Sequence, residues 1–400
     1  MSDLNWLLVD LNSYFASVEQ QLNPKLRGKP VAVVPMLADT TCCIAASYEA
    51  KAFGVKTGTM VREARQMCPG IVFISGHHER YIEYHHKIIA AIENCHPVTN
   101  VLSVDEMALK LGGRDRKLEN AIKLAVEVKR SILQVGEVLT SSVGLAPNRF
   151  LAKLASDMQK PNGLVYILPN EIPKKFMHLK LRDLCGIGKN MEARLHQHRV
   201  LTMQDLWNLS IEEMAKIWGG IGGERFYRWL RGEDFLIETE SGKSIGHSNV
   251  LSPEYRNDKG GSAILQKLLY KAGVRLRKSN MFARRMSVSI RFLDQTKWGL
   301  EVKMGDCQDD LTLREVLRLI LKKKPSKNPL KVSVVLDDLI HESDRTMSMF
   351  EDVKRQNLTK ALDQLNERFG KDTVYFANFS DMLQATPTRI AFTNIPDPDV

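Results

Sequence analysis

No stretch of this 400-residue chain approaches the roughly 18 consecutive apolar residues that a membrane span needs, so a membrane protein is not expected. Cysteine is scarce: there are six, with no C-x-x-C pair, which excludes a disulfide framework and points to reduced thiols in the cytoplasm. Gly (25) and Pro (15) are too few and too scattered for a collagen-like or low-complexity chain. The opening MSDLNWLLVDLNSYF lacks a basic leader and sets an Asp inside its short apolar stretch, unlike a secretory signal. What the chain does have is length for two or three domains, 44% hydrophobic residues and a formal charge of +10.

The positive charge is concentrated. Residues 251–300 hold eleven Lys or Arg against three acids, whereas the next fifty residues balance at nine of each. One local segment therefore has the character of a polyanion-binding surface, with a solvated helix face as the plainer alternative.

Apolar patterning orders the chain. Trp6 to Leu11 reads as a buried strand ending in Asp10, and Val98 to Leu109 as another strand carrying Asp105 and Glu106 in its middle. Helices are predicted over 118–135 and 148–158, the second stopped by the turn-forming Lys160-Pro161-Asn162-Gly163. Residues 173–234 read as short helices joined by glycine turns. Within them Gly186-Ile187-Gly188-Lys189 forms a hairpin whose backbone N–H groups face a helix N-terminus, a setting suited to phosphate. From about 246 the order is β-α-β-β-α-β, with Met286, Val288, Ile290 and Phe292 alternating against polar neighbours. The expected fold class is α+β.

Carboxylates inside apolar strands are costly to desolvate unless compensated, and divalent cations are a common compensation where several converge. Strand alternation alone sends Asp105 and Glu106 to opposite faces, so periodicity leaves open whether both reach one site.

Four blocks, VDLNSYFASVEQ at 9–20, AASYEAKAFGVKTGTM at 45–60, SVDEMALKL at 103–111 and VGLAPNRFLAKLASDMQKPNG at 143–163, resemble in order and spacing the Y-family translesion DNA polymerases of the bacterial DinB/UmuC type. The resemblance implies a right-hand polymerase. Palm and fingers would occupy 1–168 (fingers about 20–76), a helix-hairpin-helix thumb 169–236, a linker 237–243, a DNA-binding little finger 244–385 and a tail 386–400. The implied reaction is addition of dNTPs to a primer 3′-OH by two-metal phosphoryl transfer, with low fidelity.

Carried over residue by residue, the resemblance makes Asp10, Asp105 and Glu106 the catalytic metal ligands for two Mg²⁺ ions, joined by the Leu11 carbonyl. It makes Phe15 the steric gate against a ribose 2′-OH. Tyr14, Phe15, Tyr48, Lys51 and Lys160 become nucleotide contacts, and Cys42 and Ile44 lie over the nascent base pair, positions that ordinary core residues would also fill. Gly186, Gly188, Lys189, Arg277, Lys278, Arg284 and Arg285 are the expected DNA contacts. Met347, Met349 and Phe350 resemble a sliding-clamp motif, with Thr346 where Gln is expected; a loop merely covering the last domain is the alternative. Primer–template DNA and dNTPs are the implied partners, and a monomer is expected.

The chain departs from the family pattern in places. Lys51 replaces a bidentate Arg by a point charge. Met107 stands where a small residue is common, Cys185 where Pro is frequent, and Arg199 where a hairpin glycine is usual, so the following helix is expected to end differently. The paired histidines His77-His78, His85-His86 and His196/His198 lack acid or thiol partners at metal-binding spacing and read as surface residues. A non-catalytic homologue serving as a damage adaptor or DNA-binding protein is the alternative function, and a nucleotide cyclase a more distant one.

Overall fold

The computed structural model describes residues 4–39, 41–235, 244–346, 353–370 and 373–375, which fall into two compact units, 4–235 and 244–375. Among the described residues no helix is long and apolar enough to cross a membrane.

The first unit is built on a five-stranded sheet ordered β5-β6-β1-β7-β8. Its strands are β1 (Trp6–Leu11), β5 (Asn100–Val101), β6 (Glu106–Lys110), β7 (Ser141–Ala146) and β8 (Leu164–Tyr166). Every residue of β1 and β7 is buried, Asp10, Ser141 and Ser142 included, as befits central strands covered on both faces. Helices α4 (His78–Glu93) and α5 (Leu118–Val135) contribute to one core. Ala121, Leu124, Ala125, Val128 and Ile132 of α5 recur at helical spacing and are all buried there.

A smaller three-stranded sheet, β3-β2-β4, lies between them in sequence: β2 (Val31–Val34), β3 (Ala45–Ala46) and β4 (Val72–Ser75). Its own core includes Val34, Cys43, Val55 and Ala64, with α2 (Tyr48–Ala52) and α3 (Val61–Met67) beside it.

Helix α6 (Arg149–Met158) packs against β7 and β1. Asn148 caps it, accepting from Leu151 N–H at 2.8 Å, while its amide donates to the carbonyls of Trp229 (2.7 Å) and Glu233 (3.0 Å). The approach of α6 to β7 is so close that a Cβ on Gly144 would fall 1.9 Å from Ala152 O and 2.5 Å from Ser156 N. Four helices follow: α7 (Lys189–Gln197), α8 (Met203–Asn208), α9 (Ile211–Trp218) and α10 (Ile221–Leu230). Leu195, Leu206, Met214, Phe226 and Leu230 share a core with Trp6, Leu8 and Leu151.

The second unit is a four-stranded antiparallel sheet, β11-β10-β12-β9, covered by α11 (Asp258–Lys278) and α12 (Asp310–Leu321). Its strands are β9 (Ser244–Val250), β10 (Met281–Phe292), β11 (Lys297–Cys307) and β12 (Pro329–His341), in the β-α-β-β-α-β order expected. A further helix, α13 (Val353–Phe369), follows. The predicted linker 237–243, the clamp-motif residues Met347, Met349 and Phe350, and the tail 386–400 lie outside the described residues.

One prediction changes. The strand expected over 98–109 is two short strands, β5 and β6, joined by a turn in which Ser103 and Glu106 exchange backbone bonds. Asp105 sits in that turn, so alternation along a strand does not govern its direction.

Candidate active site

Strand register sets the first contact: Asp10 of β1 pairs directly with Glu106 of β6. Leu11 N–H then donates to Asp105 O at 2.9 Å, tying the β5–β6 turn to the end of β1. The Asp105 carboxylate accepts from Ser103 Oγ at 2.6 Å. His85, expected at the surface, is instead buried on α4, where its Nδ1 lies 2.8 Å from Val104 O and braces the same turn from behind. Burial lowers its pKa, favouring the neutral ring. Asp105 and Glu106, which alternation would separate, thus lie with Asp10 at one end of the sheet.

Their electrostatics show why the cluster needs cations. Burial, opposed by the Ser103 hydrogen bond and joined by the charge of Asp10, raises the Asp105 pKa. Burial also raises that of Glu106, with Lys153 opposing and Asp10 and Asp105 adding. Two lysines answer. Lys153 on α6 donates to Asp10 Oδ2 and pairs with Glu106 and Asp157, each at 3.0 Å. Lys160 pairs with Asp10 Oδ2 at 2.6 Å and Asp157 at 2.9 Å. Burial disfavours the charge on Lys153, but Asp10, Asp157 and Glu106 outweigh it and raise its pKa. Neither Lys153 nor Asp157 was singled out in the sequence, although their i,i+4 spacing on a helix was a visible signal.

A second hub is Asn12, 2% exposed. Its side chain bonds Ser142 Oγ (3.0 Å), Thr140 Oγ1 (3.1 Å) and Asn162 N–H (2.7 Å), and also reaches the Tyr48 phenol. It therefore links the end of β1 to the 160–163 turn that carries Lys160. Lys129 of α5 secures that turn from the other side, donating to the carbonyls of Ser141, Asn162 and Gly163 at 2.6–3.0 Å.

The remaining candidates fall into place unevenly. Phe15, on α1 (Tyr14–Leu22), is 4% exposed and stacks on Tyr81 with ring centroids 4.3 Å apart. The Tyr14 ring is buried and its hydroxyl donates to Tyr81 O at 2.6 Å, so its side chain belongs to the core and only its backbone is left to meet a nucleotide. Lys51 is exposed and holds its ammonium 4.3 Å from the centroid of the Tyr48 ring. Cys42 and Ile44 are half-buried, Cys42 bridging to Met60. Met107 is fully buried in the core beneath the site and fits there without disturbing the pairing of Val9.

In the helical segment, Gly186 (φ +88°), Gly188 and Lys189 are exposed at the start of α7. Arg199 adopts the left-handed conformation itself (φ +61°), with Val200 N–H bonding Leu195 O at 3.0 Å. The helix therefore ends as a glycine would end it, despite the expected difference. Cys185, half-buried, lies within electrostatic reach of Lys153, Asp157, Glu106 and Asp10, and burial pushes its thiol up to about 11.

Arg277 is the clearest correction. Its guanidinium is buried, bonding Asp310 at 3.0 Å and Asp363 of α13 at 2.5–2.9 Å, and so ties three helices together. Arg284 pairs with Asp306 at 2.9 Å, and Arg285 with Glu301 (3.0 Å) and Asp337 (2.8 Å), so the charge of each is balanced within the unit. Lys278 is exposed. Arg291, one of the eleven cations counted in 251–300, pairs across strands with Lys297 and Lys331. These three exposed cations form one row, with no carboxylate at ion-pair distance among the described residues.

Among the described residues no three carboxylate, thiol or imidazole side chains are gathered tightly enough to hold a metal ion. The donors are nonetheless all oxygen, as Mg²⁺ prefers, and the Lys153 ammonium marks a position where a cation meets both Asp10 and Glu106.

With this geometry in place, comparison with known proteins is informative. Residues 9–157 match the impB/mucB/samB family, 182–234 the DNA polymerase-iota thumb domain, and 242–349 the impB/mucB/samB family C-terminal domain. The chain is 34% identical to DNA polymerase IV of Moorella thermoacetica, over 94% of this chain and 96% of that one. It is 30% identical to DNA polymerase IV of Pelotomaculum thermopropionicum, over 92% and 93%. Among solved structures, a Dbh–Dpo4 Y-family DNA polymerase chimera superposes with a TM-score of 0.71 at 28% identity, covering 84% of this chain and 99% of that one. An insertion ternary complex of Dbh DNA polymerase gives 0.57 at 27% identity over the same shares.

Proposed function

The chain belongs to the Y family of DNA polymerases, and on that footing we propose that Asp10, Asp105 and Glu106 are its catalytic carboxylates. Its activity is that of a DNA-directed DNA polymerase of the translesion kind. The observation that carries the site assignment is the meeting of Asp10 and Glu106 on one cation at the end of β1, with the turn that bears Asp105 tied to Leu11 beside them.

Asp10, Glu106, Asp105 and the Leu11 carbonyl would hold two Mg²⁺ ions, which when bound would supply activation of the primer 3′-OH and charge neutralisation at the leaving pyrophosphate. Lys160, Lys51 and the Tyr48 phenol bind the triphosphate and stabilise the charge that develops on it. Tyr14 and Phe15 meet the nucleotide through the N–H groups of the first turn of α1, while the Phe15 ring closes the space a 2′-OH would need. Cys42 and Ile44 cover the nascent base pair.

The domain assignment is palm and fingers over 1–168, thumb over 169–236, linker over 237–243, little finger over 244–385 and tail over 386–400. DNA is gripped without sequence preference by Gly186, Gly188 and Lys189 at the start of α7, and by Lys278 and the row Lys297, Arg291 and Lys331. Met347, Met349 and Phe350 contact the sliding clamp, and the protein acts as a monomer in the cytoplasm. Primer extension with four dNTPs and Mg²⁺, beside an Asp105→Ala control, tests this reading. Extension by both proteins would overturn the metal assignment, and extension by neither would favour an adaptor role.

A further inference from the structure

We propose that Lys153 is a built-in counter-cation of the nucleotide-free enzyme: it occupies the place of a divalent ion between Asp10 and Glu106, and withdraws onto Asp157 when the ion binds. The inference rests on the metal-site reading above and extends it to residues that reading leaves without a role.

Three carboxylates surround the Lys153 ammonium. Two of them, Asp10 and Glu106, belong to the strands that form the metal site. The third, Asp157, lies one turn along α6 at i,i+4, a spacing at which the two side chains remain in reach whatever the strands hold. Lys153 can therefore give up its two strand contacts without being left unpaired. Its side chain is 17% exposed, so without Asp157 the withdrawn ammonium would face a desolvation penalty.

Lys160 makes the parallel pair of contacts, to Asp10 and to the same Asp157. When Lys160 leaves for the triphosphate, Asp157 is left to Lys153 alone, the ammonium it already holds at 3.0 Å. Nucleotide arrival and opening of the metal position are thereby coupled through one shared carboxylate. An ammonium and a divalent ion competing for the same oxygens reduce each other's occupancy, which is ordinary negative linkage.

Mn²⁺ binding, followed by electron paramagnetic resonance without DNA or nucleotide, tests this on protein purified in Mg²⁺ and then chelated. Lys153→Gln should bind Mn²⁺ about tenfold more tightly than wild type, within the roughly 5- to 150-fold span of coupled sites. Lys153→Arg should restore the wild-type affinity. In chelator the Tm of Lys153→Gln should fall, and Mg²⁺ should recover it. Asp157→Asn should weaken Mn²⁺ binding several-fold when Lys153 is present and leave it unchanged in the Lys153→Gln background, a non-additivity that a metal ligand at position 157 would not produce. Unchanged or weaker Mn²⁺ binding by Lys153→Gln, with wild type binding normally, overturns this inference alone. Absence of binding by wild type and Lys153→Gln alike overturns the metal-site reading with it.

Discussion

Asp10 and Glu106 face each other across the β1–β6 pairing, and the same ammonium, that of Lys153, bonds both. Backbone register sets these two acids opposite each other on neighbouring strands. Their mutual repulsion is answered by cations, and the chemistry available at this end of the sheet is chemistry on a polyanion.

Asp105→Ala should reduce nucleotide addition to below about a thousandth of wild type, because on the proposed assignment the three acids would act as a unit. DNA affinity should be nearly unchanged, since Asp105 lies in a turn of the first unit's sheet, outside every proposed DNA contact. Single-turnover incorporation beside a DNA-binding titration separates the two effects.

Phe15→Ala should admit ribonucleotides, read as a fall in the dNTP/rNTP preference. It should also cost about 3–5 kcal/mol of stability, because the buried ring stacks on Tyr81. An unchanged preference would place the gate elsewhere.

Asn12→Ala should lower kcat/KM for dNTP by about 10- to 100-fold, the range for residues that orient functional groups from behind. It removes the tie between Tyr48 and the turn bearing Lys160. Comparing triphosphates with nucleotide-independent DNA binding checks that the loss lies in nucleotide handling.

Arg277→Ala should destabilise the protein by about 3–5 kcal/mol, since it strands Asp310 and Asp363. The salt dependence of DNA binding should not change. Neutralising Arg291, Lys297 and Lys331 together should do the reverse, reducing the slope of log K against log salt by about 2 to 3.

Acid should weaken the second unit through His247. Burial first, then the charges of Lys271 and Arg275, push its pKa down to about 4. The unfolded chain takes up this proton near pH 6.5 and the folded one does not, so stability present above pH 6.5 is lost as pH falls toward 4. After allowance for partial exposure the loss is about 1–2 kcal/mol. Denaturant titrations of wild type and His247→Gln at pH 7 and pH 5 should show the variant losing less.

The strand at Trp6–Leu11 and the helix over 149–158 were legible because apolar period and stop signals agree there. The β-α-β-β-α-β order was legible for the same reason. Asp105 was not, because a turn inside an apolar stretch is set by Ser103 and Glu106 exchanging backbone bonds, which leaves no mark on hydrophobicity. Nor was Arg277, whose burial depends on Asp363, eighty-six positions further along the chain. Lys153 was visible as half of a helical pair with Asp157, yet its targets on two strands belong to tertiary packing. Residues 251–300 do carry an excess of cations, but charge alone does not distinguish an arginine that holds helices together from one that meets a phosphate.

Gly144 offers no functional group, yet it sets the gauge of the active site. Because α6 rests on bare backbone at that point, the reach from Lys153 to Asp10 is fixed by a missing methyl. A single-base change from a glycine to an alanine codon would lift the helix off the strand and detune the site without altering any residue in it. The enzyme is thus vulnerable at a position that an inventory of its reactive groups would never include.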